Sequence, residues 1–263
     1  MEFSFTDEQK MIADTARDFF AENATSQRTR TAMSDDGTDR ALWRAFCTEL
    51  GLSGIGLPEQ HGGAGLGMVE FALVAEAAGA QVAALPLLGL ATAAQAIAAG
   101  GSEAQQAEWL PKLISGEAIA ACEGMPQADF ADGKLTATFD LMPHGAVADV
   151  FVLVAPGQAW LVRADASGVA VTPYTTMDQT RPLARIELAG VLAEPLADPA
   201  AAITAVHRGG WLCLAAEALG GAQACLDRTV AYAKERVQFG RPIGSFQAYK
   251  HRLADMMIEI EQA

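Results

Sequence analysis

Over the first third of the chain apolar residues recur every three to four positions, which predicts helices. Ile12, Ala16, Phe19 and Phe20 share one face behind Thr6-Asp7-Glu8-Gln9. That tetrad reads as a capping box, in which hydroxyl and amide close the first turn reciprocally. Leu42, Trp43, Phe46 and Leu50 form the stripe of a second helix from about 39 to 50, with Gly51 placed for a left-handed helix end. Further helices are read at about 69–79 and 86–99, and Ser102-Glu103-Ala104-Gln105 caps another that runs through Trp109 and Leu113. The loop Leu57–Gly67, with Gly62, Gly63, Gly65 and Gly67, reads as a conformational joint that needs positive φ values. From about 118 to 196 the period shortens to two. Residues 148–155, 159–162, 169–172 and 185–188 read as strands, and Asp132-Gly133 as a hairpin turn. Helical spacing returns from Ala201 to about Arg236, with Gly220-Gly221 marking close helix packing. A connector at 237–245 leads to an amphipathic helix from Phe246, whose apolar face is Leu253, Met256, Met257 and Ile260. That last pattern carries no stop signal, so a bundle it does not complete is expected.

Helices, then strands, then helices predict an α+β multidomain chain rather than alternating βαβ units. The expected parts are an N-terminal all-α domain over 1–117, a small antiparallel β-barrel over 118–198, and the first part of a C-terminal helical domain over 199–263.

Composition narrows the function. Of 263 residues, 51% are hydrophobic and 19% charged, enough to build a core and too apolar for a disordered chain. Lys and Arg number 18 against 32 Asp and Glu, a net charge of −14 that disfavours nucleic acid and anionic membrane surfaces as partners. The uncharged run 77–102 is Ala- and Gly-rich and broken by Pro86, so it reads as a buried helix and turn and not as a membrane span. The acidic start Met1–Glu8 has no signal-peptide core. Cys47, Cys122, Cys213 and Cys225 have no pairing or zinc spacing, and His61, His144, His207 and His251 are scattered. Neither a disulfide framework nor a metal site is expected, and the setting is read as cytoplasmic. The glycine loop is not a dinucleotide fingerprint, because Met68 stands where the third glycine is required.

Three stretches carry a family resemblance. Glu49-Leu50-Gly51-Leu52, with Leu57-Pro58-Glu59 and Gly62-Gly63, resembles the N-terminal domain of the acyl-CoA dehydrogenases. Trp109-Leu110-Pro111 and Ser115-Gly116-Glu117 resemble the family's link into its β domain. Tyr232-Ala233-Lys234-Glu235-Arg236-Val237-Gln238-Phe239-Gly240-Arg241-Pro242-Ile243-Gly244-Ser245-Phe246-Gln247 resembles the signature between the first two helices of its C-terminal domain. The resemblance implies FAD, an acyl-CoA substrate, α,β-desaturation, a dimer or tetramer of like or unlike chains, and an electron-transfer flavoprotein as acceptor. It also implies that Arg236 pairs with FAD phosphate across a subunit interface, that Gln238 and Phe239 line FAD, and that Gln247 lies near the adenosine. From the residues alone, Arg236 reads equally as a helix C-terminal cation, Phe239 as a core anchor and Gln247 as surface.

The chain departs from the family in two places. Where the family carries Thr-Glu-Pro and Gly-Ser-Asp, Ala120–Phe130 offers only Glu123 and Pro126 as echoes, without the hydroxyls. The family's catalytic glutamate usually lies late in the C-terminal bundle, outside this sequence. The position some members use instead matches Gly210, so no catalytic base is named. Glu217 lies two turns on and is read as an ion pair or polar contact within the bundle. Trp211 stands where the family often has an arginine; Arg208, one turn earlier, is a surface cation or a CoA-phosphate contact. The alternative to a dehydrogenase is a non-catalytic subunit that completes an interface or FAD site of a partner.

Overall fold

The computed structural model describes residues 4–125 and 128–263; Met1–Phe3 of the acidic start and Pro126 lie outside them. Helix α1 is Asp7–Asn23, and Thr6 and Gln9 cap it reciprocally as the spacing predicts. Helix α2, Ser26–Met33, was not legible from apolar spacing: it is polar and buries only Thr29 and Ala32. Helix α3, Arg40–Ala45, widens into a π turn over Phe46–Leu50 and ends at Gly51 with φ 70°. The glycine loop has Gly62 and Gly65 at φ 91° and 64°, as a joint requires. Helix α4 is Met68–Ala80, and α5 (Leu87–Gly89), a π turn (Leu90–Ala94) and α6 (Gln95–Gly100) run on as one helix, 87–100. Helix α7 is Glu103–Ser115, closed by Gly116 at φ 73°.

The strands are β1 (Ala120–Gly124), β2 (Asp129–Ala131), β3 (Lys134–Pro143), β4 (Val150–Ala155), β5 (Gln158–Arg163), β6 (Val169–Pro173), β7 (Leu183–Leu192) and β8 (Glu194–Pro195). Here the structure corrects the expected antiparallel barrel. The strands form two four-stranded sheets, ordered β1-β4-β5-β8 and β2-β3-β7-β6, and β1 runs parallel to β4. The reason is what each face covers. Ala120, Val150, Val152, Val154, Ala159 and Leu161 pack with the helices, whereas Ala121, Phe151, Leu153 and Trp160 pack with Phe139, Met142, Ile186 and Val191 of the other sheet. Strand β4 is therefore buried along its whole length and reads as a continuous apolar run. Among the described residues the two sheets pair separately and no closed barrel is formed.

Helix α8, Pro199–Glu235, is 37 residues long and starts at an Asp198 cap with Pro199 in its first turn. Its glycines allow backbone contact with the N-terminal helices. A β-carbon on Gly220 would lie 1.9 Å from the Glu76 oxygen. The two-residue strands β9 (Val237–Gln238) and β10 (Arg241–Pro242) make a hairpin, and α9 is Gln247–Gln262. No described helix is long and apolar enough to cross a membrane.

Candidate functional site

The connector after α8 is built from its turn. Phe239 and Gly240 have φ 53° and 76°, the paired left-handed conformations of a tight hairpin. Gln238 pairs with Arg241 and Val237 with Pro242, and the Ile243 N–H donates to the Arg236 carbonyl at 2.8 Å. The Phe239 ring is 91% exposed, so it does not anchor the connector in a core. It stands edge-on to Phe246 at 6.2 Å, and the Arg241 guanidinium lies 4.0 Å over the Phe246 ring. Arg236, Gln238 and Gln247 are exposed as well. The Gln247 amide meets His251 Nε2 at 2.9 Å. No side chain caps the start of α9; the Tyr249 N–H donates to the Phe246 carbonyl at 3.1 Å, the N–H groups of Gln247 and Ala248 precede the helix's own bonding, and the nearby Ser245 hydroxyl is buried without a partner.

This set suits a dinucleotide's phosphate and adenosine. Two guanidinium groups and a helix N-terminus match a diphosphate, amides match a base or ribose, and an exposed ring offers a stacking face. The end of β1 supplies less. The Gly124 N–H is taken by Glu123 Oε1 at 2.9 Å, and Cys122, Glu123, Gly124 and Met125 present no hydroxyl. Burial raises the Glu123 carboxyl above its ordinary range and pushes the Cys122 thiol up to about 12, so the thiol is a poor nucleophile.

At the other end of α8, His207 and Trp211 stack with ring centres 5.6 Å apart, and Trp211 is 72% exposed. Arg208 and Trp211 border a groove of about 770 Å³ between α4 and α8, lined by Val69, Leu73, Leu212 and Leu219. Gly210 faces Thr92, whose Cγ2 lies 3.2 Å from where a β-carbon would stand. Arg208 and Arg236 are separated by about 42 Å of helix at 1.5 Å per residue. Glu217 does form an ion pair, but its partner lies in the β layer and not in the bundle. Its carboxylate accepts from Arg181 Nη2 at 2.5 Å, and Arg181 lies in the segment between β6 and β7. Nothing in the sequence pairs Arg181 with Glu217; only the tertiary fold brings a loop arginine to the middle of α8.

Comparison with known proteins decides the family. Residues 6–117 match the model of the acyl-CoA dehydrogenase N-terminal domain and residues 200–263 that of the C-terminal domain. The chain belongs to the acyl-CoA dehydrogenase family. It is 39% identical over 261 residues to the acyl-CoA dehydrogenase IpdE2 of Mycobacterium tuberculosis, covering 98% of this chain and 73% of that relative. The ChsE4–ChsE5 complex of the same organism superposes with a TM-score of 0.90 at 31% identity, covering 99% of this chain and 76% of the other. The Tcur3481–Tcur3483 steroid acyl-CoA dehydrogenase G363A variant does so with 0.86 at 33%, covering 97% and 74%. Family membership gives the chemistry: FAD-dependent oxidation of a CH–CH bond in an acyl-CoA.

Proposed function

We propose that Arg236, Gln238, Phe239 and Gln247 hold the phosphate and adenosine half of FAD, and that the flavin site they serve is completed by a neighbouring chain. The observation that carries this reading is the separation along α8. The connector's Arg236, Gln238 and Phe239 stand exposed about 42 Å of helix away from Arg208, so one chain does not gather both ends of the site. Helix α9 supports it: none of its residues is buried, and Tyr249, Met256, Met257 and Ile258 stay half-exposed, an apolar surface that a second chain of the same fold covers. The two-chain composition of the ChsE4–ChsE5 relative supports an unlike partner.

On this reading the three parts 1–117, 118–198 and 199–263 are separate layers that each contribute to sites shared between chains, in a cytoplasmic setting where the four free cysteines stay reduced. Held by these residues, FAD would supply the hydride acceptor, and an electron-transfer flavoprotein would serve as the next electron acceptor. The chain's own residues orient: Arg236 neutralises phosphate, Gln238 and Gln247 fix the adenosine side, and Arg208 offers a cation to a CoA phosphate. The proton-abstracting carboxylate is not Glu217, which is committed to Arg181.

The test is the visible spectrum and mass of the purified protein, alone and with a co-expressed family partner. Bound flavin in an oligomer, lost in Arg236→Gln, is expected. A flavin-free monomer in both preparations overturns the reading. Flavin that never bleaches with any acyl-CoA assigns the chain a supporting rather than a catalytic role.

A further inference from the structure

The β layer meets the helices in two different ways. The β1-β4-β5 face packs apolar side chains against the helices, a contact that is strong but not directional, and its polar ties, Arg163 to Glu108 and Gln105 to the Pro195 carbonyl, reach α7 and not α8. Among the described residues one side-chain ion pair joins the β layer to the middle of α8: Arg181, in the segment between β6 and β7, to Glu217, with side chains 31% and 16% exposed.

Both ends of that contact rest on closely packed backbone. Beneath Glu217, a β-carbon on Gly79 would lie 2.2 Å from the Glu217 carbonyl oxygen, so α4 and α8 touch main chain to main chain there. Around Arg181, a β-carbon on Gly37 would lie 2.7 Å from the Gln179 oxygen and 2.9 Å from Pro182 Cδ. The Pro182 carbonyl accepts the His144 N–H at 2.7 Å, and Asp178 accepts from the Thr180 N–H and hydroxyl at 2.9 and 2.7 Å. The segment 174–182 thus touches the α2–α3 connection, the turn after β3 and, through one ion pair, α8.

We propose that Arg181 and Glu217 form the positioning contact that fixes the register of the β layer against α8, and so sets the two walls between which the flavin and thioester lie. The second half of that statement rests on the function proposed above. An apolar interface alone tolerates small slides. A short guanidinium–carboxylate bond between two anchored backbones does not, and displacements of about 1 Å are enough to cost a reacting geometry a hundredfold.

The experiment uses the full chain with its flavin and four variants: Arg181→Gln, Arg181→Lys, Glu217→Gln and the exchanged double variant Arg181→Glu/Glu217→Arg. Flavin affinity, thioester KM against kcat, and amide hydrogen exchange of 174–182 and of α8 are read in each. Arg181→Gln is expected to weaken flavin affinity about tenfold, to raise KM more than it lowers kcat, and to speed exchange in 174–182. The exchanged pair is expected to restore all three to within about threefold. If Arg181→Gln does not fold, Arg181→Lys, which keeps charge but not the fork, carries the same comparison with a smaller shift. A lower melting temperature with unchanged flavin affinity and KM overturns the proposal, as does an exchanged pair that restores nothing. If the unmodified protein binds no flavin, the functional reading fails while the register claim is still decided by exchange: acceleration that the exchanged pair reverses supports it, and no acceleration overturns it.

Discussion

The carbonyl oxygen of Ala91 occupies the space that a β-carbon on Gly209 would need, 1.7 Å from its ideal position. Helix 87–100 and α8 therefore touch through their main chains. Gly209→Ala forces the two helices apart and is expected to cost about 3 kcal/mol or more. At the neighbouring Gly210 the nearest atom is Thr92 Cγ2 at 3.2 Å, a methyl that yields by a few tenths of an ångström. There the helix-propensity gain offsets the crowding, and Gly210→Ala is expected to change stability by less than about 1 kcal/mol. Urea unfolding of the two variants, one position apart, checks the contrast.

His144 is 3% exposed, both its ring nitrogens lack partners, and its φ of 56° is left-handed. Burial, helped by the Arg181 charge, pushes its pKa down to about 4 from an ordinary 6.5. The unfolded chain binds the proton more readily, so stability is full above about pH 6.5 and falls as pH drops toward 4. By linkage the loss approaches about 3 kcal/mol. His144→Asn, which tolerates the same φ and does not titrate, is expected to remove that part of the acid sensitivity. Unfolding free energies at pH 7 and pH 4.5 in the two proteins test it; parallel losses refute the assignment.

Phe239 tips the connector in water. Phe239→Ala is expected to leave the melting temperature unchanged, within about 0.5 kcal/mol of stability, while weakening flavin retention on dialysis. A stability loss of several kcal/mol instead places the ring in a core that the free chain does not show.

Gln105 has two duties. Its Oε1 accepts the Ser102 N–H at 2.9 Å as half of the capping box, and its Nε2 donates to the Pro195 carbonyl at 3.2 Å, tying α7 to β8. Gln105→Glu keeps the acceptor but sets a carboxylate against a carbonyl. We expect it to destabilise by about 1–2 kcal/mol, although glutamate is otherwise a favoured residue at this helix position. Thermal unfolding of Gln105→Glu beside Gln105→Ala checks this.

Local chemistry wrote most of the helical layer into the sequence. Thr6, Ser102 and Gly51 mark helix ends with side chains or φ values that depend on near neighbours, and each mark was readable. Helix α2 was not, because its burial is limited to Thr29 and Ala32 and it leaves no apolar stripe. The strands were readable where both faces are covered, as in β4. The sheet they build was not, because the choice between a barrel and two stacked sheets depends on which residues 30 or more positions away lie against each face. The connector residues were named from a motif, and their exposure emerged only in three dimensions. Arg181–Glu217 and the orphaned His144 are products of long-range folding and left no local trace.

The 37-residue α8 carries Arg208 near one end and the connector at the other. A straight helix is a ruler as well as a strut. One inserted residue lengthens it by about 1.5 Å and turns everything beyond the insertion by about 100°. A deletion or insertion in its middle would swing Phe239 and Arg236 to a different side of the molecule without altering a single residue that touches a ligand. Spacing along α8 is then itself a heritable instruction for assembly, and length changes are expected in exposed turns such as Pro156-Gly157 before they are accepted here.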